Sequence, residues 1–162
     1  MPTSGEPSGP ERLLICRVGA KVCGLPLVRV IETMRPLPVE PLGHMPAFVS
    51  GIALIRGRAT PVLDARRLLG SSSEAEPGRY ITLDLGQEPR ERVAALAVDA
   101  VIGVRRVEAS TLGGLPGLLR EQNGELVRAL GALDSELLLV LEHSRLLPDA
   151  IWQQLAPETE PA

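Results

Sequence analysis

A mostly β domain closed by one late helix is the fold the sequence predicts, and three observations predict it. Short apolar runs recur along the chain, separated by glycine, proline or charged turns. Pro26, Pro36, Pro38, Pro41 and Pro46 rule out a long helix in that region and make 34–46 an extended, irregular connection. Apart from a competing signal at 28–34, two segments are helix candidates, and only the later one is long.

The apolar runs are 13–18, 22–27, 28–34, 52–55, 59–63, 80–85, 93–98, 101–107, 126–133 and 137–141. Many short strands with punctuated turns indicate an all-β sandwich or barrel. Alternation is only partial in several of them, and at 28–34 a helix competes. Asp64 can cap a short helix over 64–69. In 144–155, Ser144 can cap, Pro148 falls in the first turn, and Leu147, Ile151 and Leu155 share one face. The segments 70–78, 86–92 and 113–124 read as loops. No internal repeat of fixed period occurs.

The 162 residues suit one domain, 11–155, or two small subdomains within it. Apolar residues make up 44%, enough for a core, but aromatics only 2%, so Leu, Val, Ile and Ala must fill it. A net charge of −3 gives no overall field for nucleic acid or an anionic membrane. No apolar run approaches the ~20 residues that span a bilayer, so direct membrane insertion is not expected. Residues 1–10 are polar and lack the basic start and apolar core of a signal peptide. They read as a disordered tail, as do 156–162, and the default compartment is the cytoplasm.

If Gly19-Ala20 forms a type II′ hairpin turn, Cys16 and Cys23 fall directly opposite each other. Their Cα atoms would then lie about 5.5 Å apart, a spacing that permits a disulfide. A reducing compartment favours two free, buried thiols instead.

Catalytic chemistry finds no convergent groups. Neither His44 nor His143 has a second His or Cys at metal-ligand spacing. Gly113-Gly114 lacks the Lys-Ser/Thr of a phosphate loop. No cofactor site is expected. Asp64, Asp84, Asp99 and Asp134 sit at strand ends or turns and read as turn caps. Arg66-Arg67 and Arg105-Arg106 read as solvated basic pairs.

The most informative stretch is 51–64, GIALIRGRATPVLD. Two β runs are broken by Arg56 and Gly57, which presents a lone cation from a turn between apolar residues. Arginine is over-represented at interface hot spots, so Arg56 reads as a contact residue or as a structural tie between subdomains. Gly51, Arg56, Gly57, Pro61, Val62, Asp64 and Arg66 match the central motif of the CheW family of chemotaxis coupling proteins, which the chain resembles. Leu54 stands where that family has asparagine, and Ala65 where it has leucine. Further matches are Val18-Gly19, Gly24-Leu25, Val30-Ile31-Glu32, 46–51, 97–101, Leu115-Pro116 and 137–141.

The resemblance implies two small five-stranded SH3-like β-barrels sharing a core, with a C-terminal helix. It implies a non-catalytic adaptor that links the cytoplasmic tip of methyl-accepting chemoreceptors to the regulatory domain of a CheA-type histidine kinase, recruited to membrane receptor arrays. By position, Val30, Arg56, Val101 and Val104 would contact the receptor in the groove between barrels. Leu25, Leu27 and Glu32 would contact the kinase. The family pairing also implies a partly buried Glu32–Arg56 ion pair across the barrel junction. A scaffold or decoy holding only one partner, and a small β-barrel ligand binder, remain open beside the adaptor.

Overall fold

The computed structural model describes residues 10–71, 75–86, 92–114 and 126–155. Both expected tails (residues 1–9 and 156–162), Leu115-Pro116 and most of two expected loops lie outside these. Pro10 is not tail: it opens the first strand.

The strands form two five-stranded sheets. The first contains β1 (Pro10–Val18), β2 (Lys21–Pro26), β8 (Ala100–Glu108), β9 (Val127–Leu133) and β10 (Glu136–Leu141), in the order β8-β1-β2-β10-β9. The second contains β3 (Val30–Met34), β4 (Val49–Ile55), β5 (Arg58–Asp64), β6 (Arg79–Asp84) and β7 (Val93–Val98), in the order β3-β6-β7-β5-β4. Each includes one parallel pair, β10 with β2 and β5 with β7, and is otherwise antiparallel. The expected barrels are therefore open. Their hydrogen-bond ladders end at β8 and β9 in one sheet, and at β3 and β4 in the other. At 28–34 the helix and strand signals divide the segment: a 3-10 turn over Leu27–Arg29 runs directly into β3.

Burial explains the incomplete alternation. Leu14, Cys16 and Val18 of β1 face a central cluster shared with Leu63, Ile81, Leu83, Leu96 and Val98 of the second sheet. Leu13 and Ile15, on the other face of β1, join a separate cluster with Val22, Leu138 and Val140. In the second sheet Ala53, Ile55, Val62, Tyr80 and Ala95 form a third. Strands covered on both faces read as continuous apolar runs. Each fully buried Leu or Ile contributes about 1.5–3 kcal/mol, so the shared cluster is what holds the sheets together.

The β1–β2 turn has Gly19 at φ 59°, while Ala20 is not among the positive-φ residues, the signature of type II′. Cys16 pairs with Cys23 in register; both are free thiols in the central cluster with no exposed surface. Burial pushes the Cys16 thiol well up and the Cys23 thiol up to about 12.

Asp64 caps α1 (Ala65–Leu68), accepting from the backbone N–H of Arg66 and Arg67. The late helix, α2 (Asp149–Leu155), starts later than the sequence suggests. Glu142, not Ser144, does the capping, and what it caps is a 3-10 turn over His143–Arg145. Leu147 precedes a proline and is steered away from helical geometry. The carbonyl of Pro148 then accepts from Ile151 and Trp152.

One glycine is required by a close approach. Glu40 exchanges two backbone hydrogen bonds with Ile52, which straps the irregular connection onto β4. A Cβ on Gly51, at φ 145°, would meet the Glu40 carbonyl oxygen at 2.1 Å.

Candidate functional site

Arg56 sits at the tip of the β4–β5 hairpin. Its φ is 52° and that of Gly57 is 78°, so both central residues are left-handed, as a type I′ turn demands. Asn-Gly usually fills such a turn; an arginine carries a steric cost there. The backbone aims its guanidinium back at β3. Arg56 Nε donates to Glu32 Oε2 at 3.0 Å and its NH2 donates to Glu32 Oε1 at 2.7 Å. This fork lowers the Glu32 carboxyl from its usual range, first through the hydrogen bonds from Arg56.

The ion pair is formed as expected, but its place and burial differ from expectation. β3 and β4 are the two edge strands of one sheet, so the pair bridges the open side of that sheet and not the junction between sheets. The Arg56 side chain is 75% exposed. Exposed pairs contribute little stability, which weakens the reading of Arg56 as a structural tie.

The junction is tied elsewhere. Asp99 lies between β7 and β8, where the chain passes from one sheet to the other. Its carboxylate accepts from Arg66 Nε at 3.1 Å and from Arg66 NH2 at 2.5 Å, and also from the backbone N–H of Gly19. Its own N–H donates to the Arg17 carbonyl. Asp99 is therefore more than a turn cap, and Arg66 is not a solvated cation: their side chains are only 21% and 17% exposed. A cavity of about 320 Å³ beside this pair is lined by Leu37, Val39, Ser50, Asp64 and Tyr80 among others. Two of its polar groups are engaged: Asp64 caps α1, and the Tyr80 hydroxyl donates to the Leu37 carbonyl.

Val30 and Val101 are both half-buried and both pack against the central cluster, Val30 from edge strand β3 and Val101 from edge strand β8. Val104 is 47% exposed and lies opposite Leu14 of that cluster. Two residues three apart share a face because of a bulge: Cys16 pairs with Val101 and Ile15 with Gly103, leaving Ile102 over. Val30 on edge strand β3 and Val101 and Val104 on edge strand β8 thus leave the shared core partly open, with Arg56 held beside β3 by Glu32.

The second set fares differently. Leu25 has no exposed surface and belongs to the core, so its side chain cannot reach a partner. Leu27 is half-buried against the same cluster, and both Glu32 oxygens are taken by Arg56. The accessible apolar groups in that region are Val28, 87% exposed, and Ile31, 51% exposed. Neither is marked as a contact by the sequence: Val28 is a member of an apolar run, and Ile31 only one of the family matches.

A family model described as CheW-like domain matches residues 12–150. The chain belongs to the CheW-like family. FrzA of Myxococcus xanthus is 36% identical over 104 residues, which cover 64% of each chain. A chemotaxis protein CheW of Rhizobium meliloti is 24% identical over 141 residues, covering 87% of this chain and 90% of that one. A chemotaxis protein CheA of Cereibacter sphaeroides matches 65% of this chain with 16% of its own length, at 26% identity. The crystal structure of the scaffolding protein TtCheW from Thermoanaerobacter tengcongensis superposes with a TM-score of 0.71 at 22% identity, covering 82% of this chain and 88% of that one. Within this CheW-like framework the departure at Leu54 stands out: its side chain is 71% exposed, opposite Ala59, two residues before Arg56.

Proposed function

We propose that this CheW-like protein is a non-catalytic adaptor coupling the cytoplasmic tip of a chemoreceptor to a CheA-type histidine kinase. It works in the cytoplasm and is recruited to membrane receptor arrays. The observation that carries this reading is the open side of the shared core. Val30 and Val101 leave apolar surface between two edge strands, Val104 extends it, and Arg56 stands beside it, exposed and aimed by Glu32. An apolar strip with a fixed arginine at its side suits an amphipathic helix. Among the described residues no helix is long and apolar enough to cross a membrane.

On the kinase side, the contacts are Leu27 and the backbone around Glu32, with the exposed Val28 and Ile31 in place of the buried Leu25. Large apolar side chains this exposed are partner-contact candidates. The names of the relatives, chemotaxis proteins CheW and CheA, support the same assignment. A second reading, a scaffold or decoy that holds only one partner, rests on Leu54 replacing a polar residue beside Arg56. Separate pull-downs with the cognate receptor tip and the kinase regulatory domain decide between them. Capture of both supports the adaptor; capture of the kinase alone supports the scaffold; capture of neither overturns both.

A further inference from the structure

Charge on the first sheet is distributed unevenly between its two faces. On one face Arg128 pairs with Glu11 and Arg105 pairs with Asp134. On the face that carries Leu14 and Val104, Arg12 lies directly opposite Arg106. Both are exposed, and among the described residues neither makes an ion pair. Glu108, next along that face of β8, pairs with neither. Like charges placed opposite each other across two strands repel, so this pair is a cost to the isolated fold.

The pair adjoins the open apolar strip. Val104 precedes Arg106 by two strand residues, roughly 6.7 Å, a little more than one helical turn of about 5.4 Å. A helix laid along β8 with an apolar residue on Val104 would carry its next turn over Arg106 and Arg12. Strand addition is a poorer fit for this edge. The Ile102–Gly103 bulge breaks the ladder, and Arg105 and Arg106 follow it along the strand.

We propose that Arg12 and Arg106 form an electrostatic clamp for an acidic side chain on an amphipathic helix docked over Val101 and Val104, about one turn from its apolar anchor. This rests on the receptor-groove reading and adds the charge and position the partner helix must present. The repulsion between the two arginines is relieved only when the carboxylate arrives, which links the cost in the free protein to selectivity in the complex.

Two synthetic helical peptides test it, each of about five turns, with identical apolar faces. One carries Glu at the turn next to the anchor, the other Lys. Binding is measured on the full chain by fluorescence anisotropy at low and high salt. The Glu peptide is expected to bind on the order of tenfold tighter, with the difference shrinking at high salt. Arg12→Glu/Arg106→Glu, at exposed positions and therefore folded, should reverse the preference. Val104→Asp should abolish binding of both peptides. Equal binding of both, still lost in Val104→Asp, would leave the groove standing and overturn the clamp. Binding of neither peptide would overturn the groove and the clamp together.

Discussion

At the scale of single residues, Arg56 separates function from stability. Its left-handed backbone costs about 1–2 kcal/mol for a residue other than Gly or Asn. Asn tolerates that conformation, and an exposed ion pair gives back little when lost. Arg56→Asn is therefore expected to melt within about 2 °C of the wild type or above it. A calorimetric Tm well below the wild type would show that the Glu32 pair is structural after all. The thiols give a second expectation. Denatured, non-reduced protein should titrate two free thiols, and the native protein should react far more slowly, because both are buried. The Cys23 pKa is raised in the fold, so its contribution is complete below the ordinary thiol range and is lost as pH rises. Stability should fall between pH 9 and about 12, and a Cys16→Ala/Cys23→Ala variant should show a flatter alkaline limb in its Tm against pH.

At the scale of elements, the strands were legible because most apolar runs are separated by glycine, proline or charged residues that favour turns. Every run contributed a strand, with 28–34 giving its first residues to a 3-10 turn, and Gly19 set the register that placed Cys16 against Cys23. The start of α2 was less legible: Ser144 satisfies a generic cap pattern, but it lies in a separate 3-10 turn capped by Glu142, and the helix begins only at Asp149, after Pro148. The strap over β4 was not legible at all: the contact between Glu40 and Ile52 is tertiary, and Gly51 reveals it only once the approach is seen. Gly51→Ala should destabilise by about 2 kcal/mol or more in chemical denaturation, since the added Cβ meets backbone that cannot swing aside. A change under about 0.5 kcal/mol would mean the strap yields freely.

At the scale of the whole molecule, two sheets share one core and are pinned by a pair that periodicity does not reveal. Arg66 and Asp99 are each legible as surface charges; only the crossing of the chain between sheets brings them together with Gly19. The residues proposed for the groove came from the family resemblance, whereas the burial of Leu25 and the exposure of Val28 and Ile31 depend on how the sheets stack. Asp99→Asn leaves Arg66 half-buried without its carboxylate, so its Tm should fall by several degrees, whereas Glu32→Gln should barely move it. On the proposed function, Arg56 serves the receptor groove while the kinase docks elsewhere. The most direct measurement is titration calorimetry of the receptor tip and of the kinase regulatory domain against wild type and Arg56→Asn. The account predicts about a thirtyfold loss for the receptor and little change for the kinase; equal losses for both partners, or undiminished receptor binding, would contradict it.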